Sequence, residues 1–285
     1  MDILLWFLTP VILILAVGLG LSFFMTRRMP RSAFHNPAEY GLAFEEVRFP
    51  AADGLSLQGC WIPHPGSDRA VVILHGQGGC LDWDLHRAPF LHAAGYNVFL
   101  FDFRAHGRSQ GRMATFGYLE RKDVLGAVDF LKGRGMRSIG LLGFSYGGMA
   151  SMLTAPLIPE VRAVVSDGGP ARARSAFSGR AMEMGLPRWL AVSLAWLAVA
   201  SISIRLGANL FRYEPIRWVG KIAPRPVLFI HGEQDVYLPD FDALFAATGE
   251  PKEAWRVPGV GHTKVSEALP DEFRRRILAF FARSL

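Results

Sequence analysis

The residues best placed to do chemistry stand in one short run, Gly143-Phe144-Ser145-Tyr146-Gly147, which matches G-x-S-x-G. It joins the apolar segment SIGLLGF (138–144) to SYGGMASMLTA, a helical stretch. A serine at such a junction sits on a sharp turn that lifts its hydroxyl above a sheet, and small neighbours leave room for the turn. The hydroxyl is a weak nucleophile until a base removes its proton. His262, in the Gly-flanked stretch PGVGHTKV, is the expected base. Asp235, in HGEQDVYLP just after the apolar segment 226–231, is the expected acid. It would hold the second imidazole nitrogen, fix the tautomer and stabilise the imidazolium. Glu233 lies close by and Asp167 ends an earlier apolar segment, so both compete for that place. The developing oxyanion needs N–H donors already aimed at it. His75-Gly76-Gln77-Gly78-Gly79 follows the apolar segment 70–74, and the backbone N–H groups of Gln77 and Tyr146 are expected to form the hole.

These residues need a scaffold that brings distant parts of the chain together. EEVRF and LSLQGCWI flank AADG, which reads as a β-hairpin on an Asp-Gly turn. AVVILHG (70–76), NVFLFDF (97–103), SIGLLGF (138–144), VRAVVSD (161–167) and PVLFIHG (226–232) are continuous apolar runs, as expected of strands buried on both faces. EAWRVPG supplies a last strand. Helices are predicted over 84–94, 118–132 and 270–283. Strands alternating with helices indicate a mostly parallel, doubly wound α/β sheet, with ligands gathering beyond the carboxyl ends of the strands. The candidate residues all fall at such ends. Residues 170–222 break the rhythm and read as a helical lid insert, including the apolar run 189–204 closed by Arg188 and Arg205.

Residues 3–25 carry no charge. These positions reach roughly 34 Å as a helix, enough to cross a hydrocarbon core of about 30 Å. The start carries Asp2 rather than basic residues, and no small-x-small cleavage site follows, so an uncleaved anchor is favoured over a signal peptide. Arg27, Arg28 and Arg31 follow the span and no Lys or Arg precedes it, which predicts a single-pass protein with its catalytic domain in the cytoplasm. Residues 26–43 read as a linker, and 44–285 as the catalytic domain.

Composition narrows the partners. The net charge of +6 in 285 residues suits an anionic partner, and the absence of nucleic-acid motifs points to a membrane surface rather than to nucleic acid. Two cysteines, Cys60 and Cys80, indicate neither a disulfide framework nor a zinc site, and no metal or cofactor is expected. The Gly-rich loop matches no Walker or Rossmann fingerprint.

On these residues the sequence resembles the α/β-hydrolase superfamily from about Glu45 to Leu285. The order Ser145, Asp235, His262 is that of the fold. The stretch Asp102-Phe103-Arg104-Ala105-His106-Gly107-Arg108-Ser109 resembles the D-x-R-x-H-G-x-S run of these enzymes, which implies a structural role for Asp102, Arg104 and His106 beside the elbow. With its anchor, the chain is most similar to the Bem46/serine aminopeptidase-like and lysophospholipase-like branch. The H-G-Q-G-G loop departs from the H-G-G-G of many lipases, and a serine nucleophile departs from dehalogenases and epoxide hydrolases. The leading expectation is hydrolysis of a lipid-like carboxylic ester or thioester through an acyl-Ser145 intermediate. An aminopeptidase would need an acidic group for the substrate amine, with Glu183 and Glu214 as candidates. A membrane-tethered scaffold without turnover is the third reading.

Overall fold

The fold is given by a computed structural model, which describes residues 2–30 and 37–285 and, in the first helix, the side chains of Thr9 and of Ile12 onward. Among the described residues one sheet holds β1 (Glu45–Pro50), β2 (Ser56–Ile62), β3 (Arg69–Leu74), β4 (Asn97–Phe101), β5 (Ser138–Phe144), β6 (Val161–Asp167), β7 (Val227–Gly232) and β8 (Lys252–Val257). Their spatial order is β1-β2-β4-β3-β5-β6-β7-β8. β2 runs antiparallel to both neighbours and every other pair is parallel. The helices are α1 (Asp2–Thr26), α2 (Leu81–Asp84), α3 (Ala88–Ala93), α4 (Glu120–Gly133), α5 (Tyr146–Thr154), α6 (Ala173–Glu183), α7 (Arg188–Leu206), α8 (Phe241–Ala247), α9 (Val265–Ala268) and α10 (Pro270–Ser284).

Strand periodicity sorts the core into two layers. Val72, Leu74, Leu141, Val164 and Phe229 pack on one face with Val124 of α4, Met149 of α5 and Leu244 of α8. Val71, Ile73, Leu142, Val165 and Ile230 pack on the other with Leu91 of α3 and Ile277, Phe280 and Phe281 of α10. Both faces of the parallel strands are covered, which explains their unbroken apolar runs.

The helix expected over 84–94 begins earlier and arrives in pieces: α2, a 3-10 turn at Leu85–Arg87, then α3. Two local causes are visible. The Leu81 N–H donates to Asp102 Oδ1 at 2.7 Å, which starts the segment early. Pro89, in the first turn of α3, has no N–H to continue a helix from the preceding turn.

The sheet order has one consequence for chemistry. From β3 the chain steps outward to β4, then returns to place β5 on the other side of β3. The carboxyl ends of β3 and β5 therefore border the crevice where the winding reverses, the usual ligand position in open α/β sheets. Their register pairs Leu74 with Gly143, so the loop from His75 and the turn at Ser145 leave the sheet side by side.

The insert between β6 and β7 contains α6, α7 and three 3-10 turns. α7 packs along α1, and the two run in the same direction: Gly18 lies against Leu197 and Ser201, and Arg205 donates to Ser22 and Thr26. A Cβ on Gly18 would stand 2.6 Å from Ser201 Oγ and 2.7 Å from Leu197 Cγ, so any side chain there would have to push Leu197 and Ser201 aside. α7 has 19 residues and is long and apolar enough, by length and composition alone, to cross a membrane.

The segment expected as a linker, 26–43, is partly docked. Met29 pairs with the loop at His106: its N–H donates to Ala105 O at 2.7 Å and its carbonyl accepts from Gly107 N at 3.1 Å. Pro37–Tyr40 forms a 3-10 turn. Residues 31–36, including Arg31, lie outside the described residues.

Candidate active site

The elbow is built by close approach. A Cβ on Gly147 would lie 2.0 Å from the Leu74 carbonyl oxygen, and one on Gly143 would lie 2.4 Å from the Gly147 carbonyl carbon. Any larger residue at either place would force α5 off the sheet. Between them Ser145 takes φ 51° and ψ −110°, a conformation costly for a residue with a side chain. The Ser145 N–H donates to Asp167 O at 2.7 Å, which ties the turn to the end of β6. Surrounding packing thus holds a strained serine at the head of α5.

His262 reaches this serine from the loop after β8. Its Nε2 lies 2.8 Å from Ser145 Oγ, and its Nδ1 lies 2.8 Å from Asp235 Oδ2. Asp235 is buried, and its other oxygen accepts the Tyr237 N–H at 2.9 Å. Burial pushes the Asp235 carboxyl up. The nearby His231 ring, the hydrogen bond and charge of His262 and the Tyr237 N–H more than offset this and hold it below the usual carboxylate range. An acid ionised in this way fixes Nδ1 of His262 as the protonated nitrogen and leaves Nε2 to accept. Tyr237 also packs edge-on against the His262 ring, 4.7 Å between centroids.

The two competing carboxylates take other positions. Glu233 is exposed. Asp167 is fully buried, and neither of its oxygens has a hydrogen-bond partner among the described residues. Burial raises it to about 7, against the pull of Arg87 and His262.

The Gly-rich loop lies directly against the nucleophile, and a Cβ on Gly76 would stand 3.7 Å from Ser145 Cβ. Tyr146 opens α5, where N–H groups have no acceptor inside the helix. The Gln77 N–H has no protein acceptor among the described residues. Both expected oxyanion donors are therefore uncommitted.

His75 has a role the sequence signalled only by its place before the glycines. Its Nε2 accepts the Phe103 N–H at 3.0 Å, so the proton sits on Nδ1, which donates to Gly76 O at 2.7 Å. Burial, with the neighbouring His106, drops its pKa to about 3, so it stays neutral and clamps the loop. Asp102 accepts from the N–H groups of Leu81 and Arg108, and Arg104 bonds to both Asp123 and Asp53. The D-x-R-x-H-G-x-S stretch thus acts as a brace under the site.

Ser145 and His262 open onto a cavity of about 590 Å³ that reaches Gly76–Gly79, Arg180 and Glu183 of α6, and Tyr237. That is room for a small acyl substrate. Phe24, Met25, Arg27 and Met29 also line it, which the sequence gave no means of seeing. Among the described residues no cluster of His, Cys, Asp or Glu could hold a metal ion.

Comparison with known proteins agrees with the fold. Residues 69–201 match the family model described as alpha/beta hydrolase fold. An uncharacterized protein of Mycobacterium tuberculosis is 31% identical over 227 residues, covering 77% of this chain and 73% of that protein. The uncharacterized protein YfhR of Escherichia coli is 26% identical over 294 residues, covering 97% of this chain and 95% of its own. The solved structure of an esterase from Pyrococcus furiosus superimposes with a TM-score of 0.75 at 26% identity, covering 91% of this chain and 98% of that one. The chain belongs to the α/β-hydrolase family.

Proposed function

We propose that this protein is a membrane-anchored serine hydrolase that cleaves lipid-like carboxylic esters or thioesters. The observation that carries the proposal is the continuous relay from Ser145 Oγ through His262 to Asp235, with both links at 2.8 Å. In this reading His262 Nε2 takes the Ser145 proton as Oγ attacks the acyl carbon. The oxyanion settles against the N–H groups of Gln77 and Tyr146. The imidazolium then protonates the leaving oxygen or sulfur, and an acyl-Ser145 remains. Water enters, gives its proton to His262, and hydrolysis frees the acid and restores the serine.

The insert serves as a lid rather than a second span. Ser145 precedes α7 and Asp235 follows it, yet both bond the same histidine, so they lie on one side of any membrane. α1 is read as the anchor. Its 25 residues rise about 37 Å, more than a hydrocarbon core of about 30 Å. Consecutive residues Ile12, Leu13, Ile14 and Leu15 are all more than half exposed, so this turn of the helix presents apolar surface on every side, as lipid requires. Arg27 and Arg28 at its end support a cytoplasmic catalytic domain.

The peptidase alternative draws less support. Glu183 is paired with Arg180 and Glu214 with Arg174, each at 3.0 Å, so a substrate amine would compete with an arginine at either carboxylate. A scaffold without turnover would have no use for a strained serine with a complete relay.

The test is fluorophosphonate labelling of the detergent-solubilised protein, with the modified residue located by mass spectrometry. Labelling of Ser145 that vanishes in Ser145→Ala and His262→Ala is the expected result. A folded protein that takes no label would overturn the proposal.

A further inference from the structure

The cavity at Ser145 is not closed by the sheet and lid alone. One wall is the end of α1 and the residues just after it. This wall is fixed in place: the Thr26 carbonyl accepts from Ala114 N at 2.9 Å, and Met29 is paired on both sides with the loop around His106. The Gln77 side chain reaches across to the Met25 carbonyl at 3.4 Å. The helix end is thus joined to the loop that carries a proposed oxyanion donor.

The charges around the cavity do not balance. Its lining includes the cations Arg27, Arg87, Arg180 and Lys264 and the carboxylates Asp84, Glu183 and Glu267. Three cations are matched within the rim: Arg87 with Asp84 at 2.5 Å, Arg180 with Glu183 at 3.0 Å and Lys264 with Glu267 at 2.7 Å. Arg27 has no carboxylate partner among the described residues. Its Nη1 donates to the Phe24 carbonyl at 2.6 Å, and its guanidinium lies over the Phe24 ring at 3.9 Å. That stacking leaves the other guanidinium N–H groups available to an oxyanion, the partner whose geometry a guanidinium fits.

We propose that Arg27 is a specificity-determining residue that receives a phosphate or carboxylate group of the substrate, and that the end of the first helix is a working wall of the catalytic cavity. The preferred substrate is then an acyl ester with a negative charge on its alcohol portion. The inference rests on the serine-hydrolase reading and goes beyond it by naming the charge of the substrate. Arg27 also stands where the proposed anchor leaves the membrane, so the anion can come from a lipid of the bilayer or from a soluble ester.

The experiment uses the full chain in a neutral detergent and two matched pairs of esters. Each pair shares an acyl chain and a glycerol alcohol and differs only by a phosphate; one pair has a long acyl chain and the other a four-carbon chain. The expected result is a preference for the phosphate-bearing ester in kcat/KM. Arg27→Gln lowers that preference about tenfold, mainly through KM, as expected for loss of a charge-assisted contact. Arg27→Lys keeps most of it, and Arg28→Gln, whose guanidinium bonds the Gly111 carbonyl instead, keeps all of it. Loss confined to the long-chain pair assigns the anion to a bilayer lipid, and loss in both pairs extends recognition to soluble anionic esters. An unchanged preference in Arg27→Gln, or an equal fall for charged and neutral esters, overturns the inference. Fluorophosphonate labelling separates the two failures. A labelled wild type whose preference ignores Arg27 loses only this inference, whereas a wild type that neither labels nor turns over loses the hydrolase reading as well.

Discussion

The elbow and the α1–α7 pair both depend on a glycine at a close approach, yet their surroundings are opposite. At Ser145 the neighbours are buried and the relay groups are hydrogen-bonded to one another, so packing and the His262 bonds hold their positions. Along α1 and α7 large apolar side chains face outward: Leu13 is 63% exposed and Trp189 72%. Water would leave such a surface costly, and a soluble monomer seldom carries one. One region is covered against solvent by the protein itself, and the other leaves apolar surface uncovered, which is the surface the proposed membrane anchoring would use. Each region can be broken without the other, which makes the comparison testable.

The largest expected effect is in the relay. Asp235→Asn keeps the shape of the site but offers an N–H where His262 Nδ1 needs an acceptor, which favours the wrong tautomer. Turnover of a p-nitrophenyl acyl ester should fall by roughly 10³–10⁴ with circular dichroism unchanged. A fall of less than about tenfold would assign the acid role elsewhere.

A smaller effect is expected from Gly18→Leu. The new side chain meets Leu197 and Ser201 and prises α1 from α7. Overpacking of this kind costs about 1–3 kcal/mol. The solubilised protein should melt earlier, while Ser145 still takes the fluorophosphonate label, because the sheet positions the relay. Loss of labelling would mean that the two regions are one unit.

The mildest change concerns Asp167. Its folded pKa is raised to about 7 by burial, while an unfolded aspartate titrates near its ordinary value, so the folded protein binds the extra proton between the two. Stability therefore falls as pH rises through that window. Asp167 faces Arg87 and His262, which favour its charge, and Asp235 and Asp84, which oppose it. Asp167→Asn removes the ionisation, so its melting temperature relative to wild type should be higher at about pH 8 than at about pH 5. Equal differences at both pH values would show that Asp167 does not titrate there.

Most of the fold was legible because its signals are local. Buried parallel strands must be apolar throughout, and turns need glycine, so the runs ending at Leu74, Phe144, Asp167 and Gly232 announced themselves. The elbow was legible for the same reason, since sterics force small residues beside Ser145. Asp235 was harder to choose, because Glu233 and Asp167 also sit at strand ends; only the approach of the His262 loop selects among them. The early start at Leu81 depends on a carboxylate that is distant in sequence. The docking of Phe24–Met29 on the cavity is wholly long-range, and no periodicity or spacing reports it. The same holds for His231, which lies 3.4 Å from Asp235 Oδ2 at the end of a strand that reads only as apolar.

The bond between Gln77 and the Met25 carbonyl bears on how such a protein would be prepared. A common route to a tractable sample is to cut away an apolar leader and keep what remains in solution. Here a cut placed after Thr26 would remove Phe24 and Met25 from the cavity and release the Gln77 side chain. The trimmed protein would uncover the face of α7 that α1 now covers and would have a wider, less selective mouth. Its substrate profile would describe the shortened chain rather than the full-length one.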